Sequence, residues 1–406
     1  MIARVDGQVV LVSGAIPGER VTACVERVSK NVAYADVVQA DEPSPDRRQP
    51  TGDPLCGGSL YSHIAYPRQL EIKREVIADA FARIGHLELP RTLGVAGSPE
   101  DGYRLRARLH VRGRRLGFFR EATHDICDVR QTRQLLPQSC DALERLTAAM
   151  RSLGIDAIRD VDFAENIEAS DRVVALETSA PIDPRSIVRL ASTEGLTGLV
   201  ASGAVHGRPH VTDRLDVTGL RVELRRHVLA FFQGNRHLLR QLVEHVVAQV
   251  PAGGELIDLY AGVGLFAISA ASARGVHVMA VEGDRYAAAD LDANAAATHG
   301  AVHPVHDAVE SFLSSAGGLR RQPDSTDRAL TLIVDPPRTG MSREALDGTL
   351  RLRAPRIIYV SCDVATLARD SRRIVDAGFA IADAGAFDLF PNTPHVETVV
   401  VFDRTR

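Results

Sequence analysis

The chain contains no tryptophan and only two lysines, Lys30 and Lys73, although Lys and Arg together number 48. Its positive charge is therefore almost all guanidinium, the group suited to planar contacts with carboxylates and phosphates. With no Trp and only 12 Phe, its cores must rest on Leu, Val, Ile and Ala. No apolar run reaches the roughly 18 residues of a membrane span. The N-terminus lacks the basic-then-apolar order of a signal peptide. Cysteine is sparse and odd in number: Cys24, Cys56, Cys127, Cys140 and Cys362. That usage argues against a disulfide scaffold and for a reducing cytoplasm. A surplus of positive charge is missing too, since the net charge is -4. Simple phosphate-driven binding to nucleic acid is disfavoured, and only local basic patches remain for it.

The 406 residues, 45% hydrophobic and 25% charged, are those of a globular protein with two or three domains. One basic run stands out, RLRARLHVRGRRLGFFR, from Arg104 to Arg120, with seven arginines and no acid. Alternation puts Arg104, Arg106 and Arg108 on one face of a strand and Leu105, Ala107 and Leu109 on the other. The run reads equally as a phosphate-tracking surface or as a solvated strand face in an Arg-rich chain.

Residues 1–42 carry short β-rich pieces, QVVLVSG, ERVTACVERV and VAYADVVQA, with a turn signal at Ile16-Pro17-Gly18-Glu19. They predict a small β-barrel that is one strand short, because the first strand-like run begins near Val9. DEPSPDRRQPTGDP reads as a linker. The helical pattern of AYPRQLEIKREVIADAFARIG places Leu70, Val76, Ile77, Phe81 and Ile84 near one face. Residues 50–230 form a central α+β domain. From residue 231 to 406, apolar strand-like runs alternate with helical segments: ELIDLYAG, VHVMAVEG, HPVHDAV, LTLIVDPP, RIIYVSC, FAIADAGAFD and ETVVVFD. This is the pattern of a doubly wound α/β domain. FPNTPHV leaves no room for a crossover helix between the last two runs, so the final strand must run antiparallel to its neighbour.

Ligands of open α/β sheets bind beyond the carboxyl ends of the parallel strands. Asp258, Glu282, Asp335 and Cys362 fall at such ends, and an antiparallel last strand returns Glu397 to the same edge. In Asp258-Leu-Tyr260-Ala-Gly262-Val-Gly264 the glycines let a ligand approach the backbone and free amides at a helix start. Glu282, at the next strand end, is placed to accept hydrogen bonds from ribose hydroxyls; Asp307 ends the third run. GVGLFA also satisfies a loose dinucleotide pattern. A carboxylate at Asp258 suits a cationic cofactor end, such as the amino group of S-adenosylmethionine, better than a pyrophosphate. Asp335-Pro336-Pro337-Arg338 is a stiff polar loop. It lacks the aromatic that amino-group methyltransferases carry after the prolines. Cys362 precedes a helix whose N-terminus is expected to lower its pKa, and so reads as a nucleophile.

Phe232-Gln233-Gly-Asn235, DLYAGVGLF, VEGD, DPPRTG, VSCDVATLARD and DLFPNTPHVET, in this order, resemble the S-adenosylmethionine-dependent RNA 5-methyluridine methyltransferases that act on transfer RNA and 23S ribosomal RNA. GAIPGERV resembles part of a TRAM domain, and LCGGSLYSHIAYPRQLEIKREV extends the likeness over nearly the whole chain. The resemblance implies a Rossmann-like methyltransferase domain, RNA as partner and S-adenosylmethionine as cofactor. Cys362 is implied as the nucleophile that adds to uracil C6, and Glu397 as the proton acceptor. Gln233, Tyr260, Glu282 and Asp335 match cofactor positions, joined by Asp258, Gly262, Gly264 and Asp307 from the reading above. Many members hold a [4Fe-4S] cluster on four cysteines, but the matching positions here are Pro50, Cys56, Ser59 and Thr132. No cluster and no other metal are expected. The first TRAM strand is expected to be missing, and the protein to be a monomer with no membrane partner. An RNA 5-methylcytosine methyltransferase, a non-catalytic RNA-binding relative and a nicotinamide-dependent oxidoreductase are the alternatives.

Overall fold

The structure, a computed structural model, describes residues 1–89, 93–113, 115–121, 123–315 and 330–405. Arg114 of the arginine-rich run lies outside the described residues.

Strands β1 (Ile2–Val5), β2 (Gln8–Ser13), β3 (Arg20–Ser29) and β4 (Val32–Glu42) form an N-terminal sheet of order β1-β2-β4-β3. The first strand is therefore present, against the sequence expectation. It pairs antiparallel with β2 through Asp6 and Gly7, both at positive φ (48° and 83°). Asp-Gly is the pairing that a two-residue hairpin turn favours. The stretch read as a linker is pinned rather than free. Arg47 Nε donates to Glu19 Oε1 at 2.6 Å. Although burial opposes it, the Arg47 hydrogen bond and the Ser44 and Ile16 amides hold the Glu19 carboxyl down to about 2.

Helix α1 (Tyr66–Ala80) opens on Pro67 and runs into a π-helical turn, Phe81–Gly85. Its buried face is Gln69, Ile72, Lys73 and Ile77, continued by Phe81. Val76 and Ile84, expected near that face, are exposed at 48% and 45%. The apolar periodicity misplaced the stripe because two of its members, Gln69 and Lys73, are polar residues with partners in the C-terminal domain, Asn392 and Asp388. Strand β5 (Val95–Ala96) follows.

The central sheet collects β6 (Arg106–Arg112), β7 (Arg115–Phe119), β8 (Ile126–Asp128), β9 (Ile158–Glu165), β10 (Arg172–Thr178), β11 (Gly198–Ala201) and β12 (Ala204–Gly207), in the order β12-β11-β10-β9-β6-β7-β8. Helices α2 (Pro137–Ser152) and α3 (Pro184–Ala191) supply Leu143, Leu146 and Leu190 to a core with Leu109, Val161 and Phe163. The alternation along β6 is as expected: Leu105, Ala107 and Leu109 are buried and Arg108 is exposed. Cys56 and Cys127 are joined by a disulfide. Among the cysteines only Cys24, Cys140 and Cys362 are free.

A hairpin of β13 (His210–Val217) and β14 (Leu220–His227) leads into α4 (Leu239–Ala248). Then come β15 (Glu255–Leu259), α5 (Leu265–Arg274), β16 (His277–Glu282), α6 (Arg285–Ala295), β17 (Val302–His306), α7 (Val309–Ser315), β18 (Leu330–Val334), α8 (Arg343–Arg351), β19 (Arg356–Ser361), α9 (Val364–Asp376), β20 (Phe379–Phe387) and β21 (Glu397–Arg404). All seven sequence-predicted runs are strands of one sheet, ordered β17-β16-β15-β18-β19-β21-β20-β5. β15 to β19 run parallel, and β21 lies antiparallel between β19 and β20. Ile357 to Val360 are fully buried, as strands covered on both faces must be. Helices α4, α5 and α6 cover one face together with Val217 and Val222 of the hairpin. Helices α7, α8 and α9 cover the other, with Ile77 of α1. The hairpin, α1 and β5 were grouped with residues 50–230 by sequence, yet all three pack on this sheet.

Candidate active site

Two groups of residues meet at the carboxyl edge of the parallel strands. The first surrounds the turn after β15. Tyr260, Gly262 and Gly264 have φ of 63°, 57° and 95°, so the backbone coils tightly before α5. A Cβ on Gly264 would meet Ile268 Cδ1 and Leu291 Cδ1 at 2.8 Å, whereas one on Gly262 would meet nothing within 4 Å. The turn is thus packed behind and open in front. Glu282 braces it, accepting from the amides of Gly262 and Asp284, both at 2.7 Å. Asp307, half-buried after β17, donates its amide to the Glu282 carbonyl at 3.1 Å. Gln233 Nε2 donates to Asp335 Oδ2 at 3.1 Å. Burial pushes the Asp335 carboxyl up to about 7, helped by Glu282 and opposed by the Gln233 bond.

Asp258 is fully buried under this turn, and neither oxygen has a hydrogen-bond partner. The Ala267 amide faces it without reaching hydrogen-bond geometry. Burial, then the charges of Asp335 and Glu282, favour its acid form.

The second group is the thiol and its neighbours. β19 delivers Cys362 just before α9, and the pairing Ser361↔Thr398 brings Glu397 alongside. Glu397 is 2% exposed. Burial and the nearby Asp335 carboxylate raise its pKa well above the ordinary carboxyl range, against the pull of Arg338. The Cys362 thiol is pushed up to about 11 by burial and then by Glu397, while Arg338 opposes through its charge and a hydrogen bond. The expectation that the α9 N-terminus lowers this pKa is therefore corrected for the free protein. The N-cap is taken by the Asp363 carboxylate, which accepts from Thr366 N at 2.8 Å, and the thiol faces carboxylates at close range.

Two residues escaped the sequence reading. By sequence Arg338 stands out only for not being aromatic, yet it is a cation facing Cys362 and Glu397. Phe231 is 59% exposed beside the buried Phe232, with the Arg106 guanidinium 5.4 Å from its ring centre. Two adjacent phenylalanines outside a helix cannot both enter one core, and that was its signal. The Arg104–Arg120 run is only partly a cationic surface. Arg104 donates to Gln134 Oε1 at 2.5 Å, and Arg108 is paired with Asp160, Asp162 and Glu177. A cleft of about 710 Å³ lined by Tyr260, Pro337, Thr339, Met341 and Arg369 opens at this edge.

A [4Fe-4S] cluster does not fit the residues present. Pro50, Ser59 and Thr132 carry no thiol, the Thr132 hydroxyl donates to the Val129 carbonyl, and the Cys56 sulfur is bonded to Cys127. Among the described residues no cluster of His, Cys, Asp and Glu has the geometry of a metal site, and no helix is long and apolar enough to cross a membrane.

The glycine turn, braced by an acid at the next strand end, lies at the carboxyl edge of a doubly wound sheet with an antiparallel final strand, the place where such sheets bind a nucleoside-containing cofactor. Residues 203–405 match the family model described as tRNA (Uracil-5-)-methyltransferase, and residues 1–38 match the TRAM domain. The chain belongs to this RNA uracil-5-methyltransferase family. It is 32% identical to the 23S rRNA (uracil(1939)-C(5))-methyltransferase RlmD of Halomonas elongata, over 98% of this chain and 86% of that one. It is 31% identical to the protein of the same description from Methylococcus capsulatus, over 99% and 94%. Among solved structures, the Pyrococcus abyssi tRNA (uracil-54, C5)-methyltransferase in complex with S-adenosyl-L-homocysteine has the same fold, with a TM-score of 0.75, 24% identity, and coverage of 98% and 96%.

Proposed function

We propose that this chain methylates C5 of a uridine in RNA, with Cys362 as nucleophile and Glu397 as proton acceptor. The observation that carries the reading is the β19–β21 pairing, which brings these two side chains, distant in sequence, to one edge beside the open glycine turn. The residues fit S-adenosylmethionine. The space in front of Gly262 is open, and Glu282 and the Gln233–Asp335 pair flank it with acceptors. Gln233, Tyr260, Gly262, Glu282, Asp307 and Asp335 would hold it, with Asp258 and Gly264 shaping the turn from behind. When bound, it supplies an electrophilic methyl carbon and departs as a neutral thioether.

The chain's own residues do the rest. Arg338 draws the Cys362 thiol towards its ionised form, and the thiol proton is lost to solvent before the base is attacked. The thiolate adds to C6 of the uracil, forming the S–C6 bond and moving the C5–C6 π electrons onto the C4 oxygen. C5 becomes nucleophilic only through this adduct, which is why a covalent step is needed. After C5 has gained its methyl carbon, the Glu397 carboxylate accepts the C5 proton. The C5–C6 double bond re-forms and the thiolate leaves, so the thiol route is closed and Glu397 carries the proton away. The uridine must be unstacked to reach this edge. The exposed Phe231, with Arg106 beside it, gives the flipped base an apolar wall.

The test is nucleoside mass spectrometry on RNA from a strain lacking the chain's gene. One 5-methyluridine position should disappear and return with the wild-type protein, but not with Cys362→Ala. Restoration by Cys362→Ala would end the covalent reading.

A further inference from the structure

Lys73 is one of only two lysines in the chain, and it is buried in helix α1, 1% exposed. Its ammonium meets a partner 315 residues away: Nζ donates to Asp388 Oδ1 at 2.5 Å and to the Phe390 carbonyl at 3.2 Å. Asp388 is itself fully buried. Such a pair is costly to desolvate and is weak as a stability device, since apolar residues of similar volume often serve as well. Its placement is informative. Asp388 and Phe390 open the loop between β20 and β21, and that loop ends at Glu397.

The rest of the loop is held from the same helix. Gln69 Nε2 donates to Asn392 Oδ1 at 2.9 Å, and Asn392 N donates to Gln69 Oε1 at 3.0 Å. Within the loop, the Phe390 carbonyl also accepts from Thr393 Oγ1 at 2.7 Å. On the other side, Asn235 Nδ2 donates to the Leu389 carbonyl at 3.1 Å, two residues beyond Gln233. Lys73 thus meets a loop with the proton acceptor at one end and the cofactor-side Gln233 segment against it.

We propose that the Lys73–Asp388 pair is a positioning device for the reaction: helix α1 holds the 388–396 loop and, through it, sets Glu397 against the adduct formed at Cys362. The proposal rests on the reading of Glu397 as proton acceptor. Lys73 touches neither substrate nor cofactor; it acts through the loop. Proton removal from C5 is the step that requires Glu397 in place, so a displaced loop stalls turnover after methyl transfer, with RNA still bonded to Cys362.

The experiment uses the full chain and RNA from a strain lacking its gene. Lys73→Met alone leaves a buried carboxylate unpaired and is expected to lose stability. Lys73→Met/Asp388→Leu removes both charges and is expected to melt close to wild type. The proposal expects the double variant to lose about a hundredfold in kcat, the scale of a small misplacement. The KM for S-adenosylmethionine should stay near wild type, and RNA–protein adduct should accumulate on a denaturing gel, as is also expected of Glu397→Gln. A double variant that recovers turnover along with stability overturns the proposal, because the pair is then a stability element only. Full turnover in Glu397→Gln instead overturns the reading beneath it, whatever the Lys73 variants do.

Discussion

Replacing Arg338 by Met removes the guanidinium that pulls the Cys362 thiol towards ionisation and leaves the burial and the carboxylates that oppose it. The thiol already stands at about 11, so roughly one in a thousand is ionised at about pH 8. A hydrogen bond to a charged group is worth about 1.5–3 kcal/mol. Arg338 is exposed, so screening by solvent brings its effect to the lower end or below, about 1.4 kcal/mol. That is about a tenfold drop in thiolate. The assay is carbamidomethylation of Cys362 by iodoacetamide, followed by peptide mass spectrometry between about pH 7 and pH 10, where the rate should climb with pH. Exposed Cys24 serves as internal reference, and buried Cys140 should stay silent. Arg338→Met should slow Cys362 relative to Cys24 by about tenfold and cut turnover at least as much. Equal rates in variant and wild type would refute the idea that Arg338 supports the thiolate. Glu397→Gln supplies the opposite sign: alkylation should quicken while methylation fails.

Three further outcomes follow from the geometry. Gly264→Ala places a Cβ against Ile268 and Leu291 at a φ of 95°; it should cost about 1–3 kcal/mol in a melting experiment and weaken S-adenosylhomocysteine binding by calorimetry. Arg108→Ala should leave the salt dependence of RNA filter binding unchanged, because three acids already pair with it. Cys56→Ser, scored under non-reducing conditions, should lower stability by up to about 4 kcal/mol, the chain-entropy value for a loop of this length, with a sequence separation of 71 residues.

The C-terminal sheet was legible because each strand is apolar on both sides and bounded by turn residues, as in RIIYVSC and LTLIVDPP. The absence of a helix between FAIADAGAFD and ETVVVFD settled the direction of the last strand, and with it the return of Glu397. The tertiary contacts were not legible. Nothing local in EIKREV says that Lys73 points inward; its reason lies at Asp388. β5 is two residues long and exists only by pairing with Ala386 and Phe387. The same holds for the thiol. A cysteine before a helix predicts activation, but the free-state balance is set first by burial and then by Glu397 and Asp335 arriving from other strands. β1 was legible as well, since Asp6-Gly7 is a strong hairpin signal.

The eighth strand of the C-terminal sheet has a consequence for how this protein can be divided. The segment matched by the family model begins at residue 203, downstream of both α1 and β5. Expressed from that point, the chain would leave the β20 edge unpaired at Ala386 and Phe387. It would also uncover the part of the core where Ile77 and Phe81 sit beside Leu367 and Ala368. A bare edge next to an apolar face is a recipe for association with other copies. The segment matched by the family model is thus smaller than the unit that covers its own sheet edge and core, and a fragment that keeps α1 has to begin before Tyr66.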